Sequence, residues 1–106
     1  MTTDSFKDFI LDQLVNLSNL SVRSMFGGYG LYTRGFFFGI IYRGRLYLKT
    51  DEGSRKLYEE KGMKPFRPNE RQTLKSYYEV PADVIEDGDQ LVAWARTAIA
   101  CKSGKR

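Results

Sequence analysis

Histidine is absent from this chain of 106 residues, and cysteine occurs once, at Cys101. Without histidine there is no Ser-His-Asp or Cys-His catalytic pair and no imidazole metal ligand. A single cysteine makes neither a zinc site nor an internal disulfide, so the expected setting is a reducing one, the cytoplasm. Long apolar runs are also missing. The longest, Phe36–Tyr42, has a glycine inside it and suits a strand, so no transmembrane helix is expected. The opening Met1-Thr2-Thr3-Asp4-Ser5 offers neither a basic lead-in nor a small-residue cleavage site, and no signal peptide is expected.

Acidic residues are scarce in one region. The net charge is +4, but Lys102, Lys105 and Arg106 sit in the last five residues; of 17 basic residues, 14 remain without them, against 13 acidic ones. From Val22 to Thr50 the chain carries Arg23, Arg34, Arg43, Arg45 and Lys49 and no acid, while the first helix sets Asp4, Asp8 and Asp12 against Lys7. Basic character therefore belongs to one sheet region and one tail, which says more about partners than the whole-chain figure. An apolar content of 42% with 28% charged residues is ordinary for a globular domain, and the length fits one core.

The organising stretch is Arg23-Ser24-Met25-Phe26-Gly27-Gly28-Tyr29-Gly30-Leu31-Tyr32, followed by Phe36–Tyr42 and Arg45–Lys49. It reads as an aromatic meander punctuated by glycine, with Arg34-Gly35 and Arg43-Gly44 as two-residue turns. Before it, Phe6, Phe9, Ile10, Leu14 and Leu17 recur at helical spacing, predicting a helix over 5–17 capped by Asp4 or Ser5. After it, Thr50 or Asp51 caps a short helix with Leu57 and Tyr58 as its buried side and Gly62 as its stop. Lys64–Arg67 is a candidate edge strand, Leu74–Val80 a further strand, and 81–86 a turn or single helical turn. A last helix runs from about Asp87 to Lys102 on Leu91, Trp94, Ala95, Ala98 and Ile99. The order α-β-β-β-α-β-α predicts a two-layer α+β domain over 4–102, an antiparallel sheet of four to five strands with helices packed on it, and a disordered basic tail at 103–106.

Residues able to carry chemistry are few. Cys101, near the end of the last helix, reads as a small apolar filler. Glu59-Glu60, Glu86-Asp87 and Asp89 lie in charged, turn-like surroundings that suit caps and solvated surface rather than acid–base work. Gly27-Gly28-Tyr29-Gly30 matches neither dinucleotide nor P-loop spacing, and a bend or bulge needing positive φ or close backbone approach explains Gly27, Gly28 and Gly30 better. Tyr29, Tyr32, Phe36, Phe37, Phe38, Tyr42 and Tyr47 sit among Arg34, Arg43, Arg45 and Lys49, the mixture that single-strand binders use. An α+β sheet needs an aromatic face simply to pack its helices, however, and the signature run of RNA-recognition sheets is missing.

The stretch Arg23–Tyr32, Arg45-Leu46-Tyr47-Leu48-Lys49, Tyr77-Tyr78-Glu79-Val80-Pro81 and Leu91-Val92-Ala93-Trp94-Ala95-Arg96 together resemble the N-terminal domain of the TfoX/Sxy competence regulators, over about residues 6 to 100. The resemblance implies an antiparallel sheet flanked by helices. It also implies a bacterial regulator of DNA-uptake genes that works with the cyclic-AMP receptor protein. Full-length members carry a C-terminal helical domain; this chain stops at Cys101–Arg106, as a single-domain member or a fragment would. The resemblance carries over no catalytic residue, metal or cofactor. The expected function is a non-enzymatic regulatory module acting through a protein partner in the transcription machinery. The alternative is direct nucleic-acid binding by the cationic meander and tail, with Arg34, Arg43, Arg45 and Lys49 as contacts. A homodimer is among the candidate assemblies.

Overall fold

A computed structural model describes residues 5–25 and 27–101. The elements are α1 (Ser5–Gln13), β1 (Leu20–Met25), β2 (Gly28–Thr33), β3 (Phe36–Tyr42), β4 (Arg45–Lys49), α2 (Glu52–Glu60), β5 (Pro65–Asn69), β6 (Gln72–Glu79), α3 (Ala82–Ile85) and α4 (Gly88–Ala100). All pairings are antiparallel, in the order β1-β2-β3-β4-β6-β5. The expected α+β class is the one that forms, with six strands in place of four to five. The strand count rises because glycine-rich 28–33 is a complete strand and β5, despite Pro65 and Pro68, lies at an edge where missing N–H donors are tolerated.

Both Arg-Gly turns have positive φ at both central residues, 51° and 83° at Arg34-Gly35 and 51° and 74° at Arg43-Gly44. That is the turn whose twist matches paired strands, and it makes consecutive strands of the meander neighbours. Leu31, Phe38, Ile41, Leu46, Leu48 and Val80 point to the helices and join Ile10, Leu14, Leu91, Ala95 and Ala98 in the main core. α4 packs across β3 and β4, with α1 against α4 and α2 against β6.

Several boundaries differ from expectation. α1 ends at Gln13, and a tighter turn follows, with Val15 N–H donating to Asp12 O at 3.2 Å and Leu17 N–H to Leu14 O at 2.9 Å. Leu14 and Leu17 are still buried, so the apolar spacing continued past the point where the helix stops. Leu57 is 48% exposed while its neighbour Tyr58 is buried, because consecutive helical residues point about 100° apart and only one can face the core. The cap expected at Asp4 and the tail at 103–106 lie outside the described residues.

Two carboxylates terminate helices from outside. Asp51 Oδ1 accepts from Ser54 N–H at 2.8 Å while Ser54 Oγ accepts from Asp51 N–H at 3.0 Å, a reciprocal box, and Asp87 Oδ1 accepts from Gln90 N–H at 3.2 Å. These backbone hydrogen bonds hold both carboxyl groups below their ordinary value of 3.8. A depressed folded-state pKa means that the stabilisation is complete above the unfolded value and is lost as pH falls through the folded one. Thermal melts are therefore expected to drop as pH is lowered below about 3.8, and Asp51→Asn with Asp87→Asn, which keeps the acceptor oxygens, should flatten that acid limb. An unchanged slope in the double variant would show that other carboxylates govern it.

Candidate functional site

The other face of the sheet is where the sequence's aromatic and basic residues meet. A register shift between β2 and β3 sets Leu31 opposite Gly39 and Tyr32 opposite Phe37, leaving Phe38 as an extra residue. Phe38 and Gly39 both turn to the helix side, where a Cβ on Gly39 would already lie 3.2 Å from the Leu31 and Leu48 methyls. Beyond the bulge the alternation is inverted, so Ile40 and Tyr42 join Phe37 on the opposite face. There they meet Tyr47, Phe66, Leu74 and Tyr77. Among the described residues this second cluster is built by strand residues alone.

Two rows of rings run through it. In the first, Tyr32, Phe37 and Tyr77 follow one another with centroids 5.1 Å apart, and cations close both ends: Arg23 lies 5.1 Å over Tyr32 and Lys49 5.3 Å over Tyr77. Tyr77 Oη donates to Phe37 O at 2.8 Å, and burial pushes its phenol up to about 12, so this hydroxyl stays a donor. In the second row Phe66 meets Tyr42 at 5.3 Å and Tyr47 at 4.7 Å, both edge-on, with Arg43 at 5.2 Å over Tyr42. Burial likewise raises the Tyr47 phenol. In a flat sheet β5 would stand about 14 Å from β3, three strand spacings away. The ring contact between Phe66 and Tyr42 requires the β5 end to curl over this face.

The four cations expected to form a site do not converge. Arg43 lies in the β3–β4 turn and Arg45 opens β4, whereas Arg34 lies at the opposite end of β3 in the β2–β3 turn. With the Asn19 amide oxygen turned towards it, Arg34 donates to that oxygen from Nη2 at 3.1 Å and Nε at 3.2 Å. Arg45 is exposed and pairs with Glu79 at 3.1 Å, a surface ion pair of small energetic worth. Lys49 Nζ donates to Ser76 Oγ at 3.1 Å as it covers Tyr77. Arg23, Phe66 and Tyr77 were not singled out from sequence. Arg23 alternates with Val22, which packs on the helix-side core, so period two is the signal that could have found it, whereas Phe66 and Tyr77 arrive from distant strands.

The glycines have separate tasks. Gly27 occupies the turn after β1 with φ of 82°, while Gly28 and Gly30 lie inside β2. Tyr29, Phe36 and Phe38 pack with the helix-side core, and Lys7 Nζ stands 4.9 Å over the Tyr29 ring. Cys101 is buried; its thiol faces Thr97 O at 3.3 Å, and burial, with the Asp51 carboxylate second, raises its pKa. Such a thiol is poor in thiolate and correspondingly unreactive.

Among the described residues no group of three or more His, Cys, Asp or Glu side chains is placed to hold a metal ion. No helix among them is long and apolar enough to cross a membrane. The TfoX N-terminal domain family matches residues 12–102. No curated protein matches the chain.

Proposed function

The chain belongs to the TfoX N-terminal domain family, and from that premise we propose that it is a non-enzymatic, competence-related regulatory module that docks a protein of the transcription machinery on its helix-free sheet face. The observation that carries this reading is the pair of aromatic rows edged by Arg23, Arg43 and Lys49. Tyr32, Phe37 and Tyr42 are only half-buried there. Tyrosine and arginine around a desolvated centre are the residues that dominate protein interfaces, and the excess of cations favours an acidic partner surface. The cyclic-AMP receptor protein is the first partner to test, because the regulators that this sequence resembles work with it. Binding measured by calorimetry is expected to weaken at least tenfold in Tyr32→Ala and in Arg23→Ala, both of which should keep the wild-type fold by circular dichroism. Wild-type affinity in both folded variants would remove this face from consideration.

A second reading, direct binding of nucleic acid, has support from the same face. Its half-buried rings offer stacking surface, and on the helix side of the sheet, beside Phe6 and Tyr29, Lys7 and Arg43 border a separate recess of about 270 Å³ with room for a phosphate. Binding of this kind weakens steeply with salt. Arg43→Ala with Arg45→Ala is expected to reduce affinity for single-stranded DNA or RNA at low salt and to make the salt dependence shallower. Unchanged affinity in the double variant would exclude the cationic turns as the contact.

A further inference from the structure

The two edges of the sheet are unlike. At β5, Pro65 and Pro68 remove backbone donors, Arg67 is exposed, and pairing with β6 shifts register twice. These are devices that stop a further strand from adding. β1 has neither proline nor register shift. Leu20–Met25 is six residues long, pairs with β2 in unbroken register from Leu20–Thr33 to Met25–Gly28, and carries Arg23 as its single charge. A two-residue connection closes on a hydrogen-bonded pair at Met25 and Gly28, so Met25, Arg23 and Ser21 bond inward to β2. Leu20, Val22 and Ser24 therefore turn their N–H and C=O groups outward. Among the described residues, the backbone bonds outside the regular elements reach none of these outward groups.

We propose that β1 pairs with β1 of a second copy of this chain, antiparallel about a two-fold axis at Val22, to make one sheet of twelve strands. Backbone direction requires outward-facing residues to pair with one another, and charge chooses among the registers that do so. Centring on Val22 pairs Val22 with its symmetry mate and Leu20 with Ser24 of the second copy, all of which have outward-facing groups, and sets Arg23 against Ser21. Centring on Arg23 instead would also pair outward-facing residues, Val22 with Ser24, but it puts two guanidinium groups directly opposite each other. Val22 and Leu20 are partly buried against the helix-side core, so the pairing extends that apolar surface across the axis. The blunted β5 edge prevents head-to-tail growth, which makes a closed dimer the end point.

Sedimentation of the full chain is expected to give a species of twice 12.2 kDa that dissociates on dilution. Ser24→Pro removes an outward donor at an exposed edge position and should raise the dimer dissociation constant at least tenfold with the fold retained by circular dichroism. Register is read by cross-linking under oxidising conditions. Val22→Cys brings two sulfur-bearing residues to a Cα separation of about 5.5 Å and should link the copies, whereas Arg23→Cys leaves its pair about 8 Å apart, beyond disulfide reach. A monomer at all concentrations, a dimer undisturbed by Ser24→Pro, or cross-linking through Arg23→Cys in preference to Val22→Cys would each overturn the proposal. Because partner binding is assigned to the sheet face and dimerisation to its edge, loss of one leaves the other measurable.

Discussion

Gly28→Ala is expected to cost the domain ~3 kcal/mol or more, at the upper end of what overpacking does. A Cβ at Gly28 would run into the carbonyl oxygen of Ile41 and stand 3.2 Å from Tyr42 Cα, and both belong to the backbone of β3. Side chains could swing away, but here β2 and β3 must part, at the centre of the meander. The neighbouring glycines provide the control. Gly27→Ala meets nothing within 4 Å and suffers only the strain of φ at 82°, about 1 kcal/mol. Gly30→Ala meets the Met25 sulfur and the ring edges of Tyr32 and Phe37, which can shift, so about 1 kcal/mol is expected there as well. In thermal melts, with about 4–8 °C per kcal/mol for a domain near this size, Gly28→Ala should fall at least ~12 °C below wild type and well below both controls. Equal shifts for all three variants would mean that close backbone approach at Gly28 is not what selects glycine.

Phe66→Ala is expected to be comparably damaging, by about 3–5 kcal/mol. Phe66 is fully buried, and its ring is what ties the curled β5 end to Tyr42 and Tyr47. Truncation leaves a cavity between those rings, and the loss is a large part of the roughly 5–15 kcal/mol by which a domain is ordinarily stable. Denaturant unfolding followed by tyrosine fluorescence would measure it. A loss below ~1 kcal/mol would indicate that the curl is held elsewhere. Where the variant stays folded, its partner affinity should fall with that of Tyr32→Ala, since Phe66 supports the same face without being exposed on it.

Different parts of this picture came from different levels of information. The two Arg-Gly turns, the period-two alternation of Leu46 and Leu48 with Arg45, Tyr47 and Lys49, and the capping of α2 by Asp51 are local matters, and each was readable from neighbouring residues. Strand number was less so. Glycines in 28–33 and prolines in 65–69 argue against strands by propensity, and tertiary pairing overrides that preference. Placement of the site residues was the least accessible. Arg34 and Arg43 look equivalent in sequence, both preceding glycine in a turn, yet they lie at opposite ends of β3 and only Arg43 stands over a ring of the helix-free face.

The α+β class, the meander with its turns, and the family were all legible in the residues alone, because hydrophobic period, turn chemistry and the run from Arg23 to Tyr32 are short-range signals. Which aromatics share a face was set by the packing of strands against one another. The bulge at Phe38 inverts the alternation of β3, so Phe37, Ile40 and Tyr42 come together where a regular strand would have grouped Phe37 with Gly39 and Ile41. A single unpaired residue reverses the side on which every later side chain emerges, and its position depends on how β2 and β3 register against each other, which neither strand specifies alone.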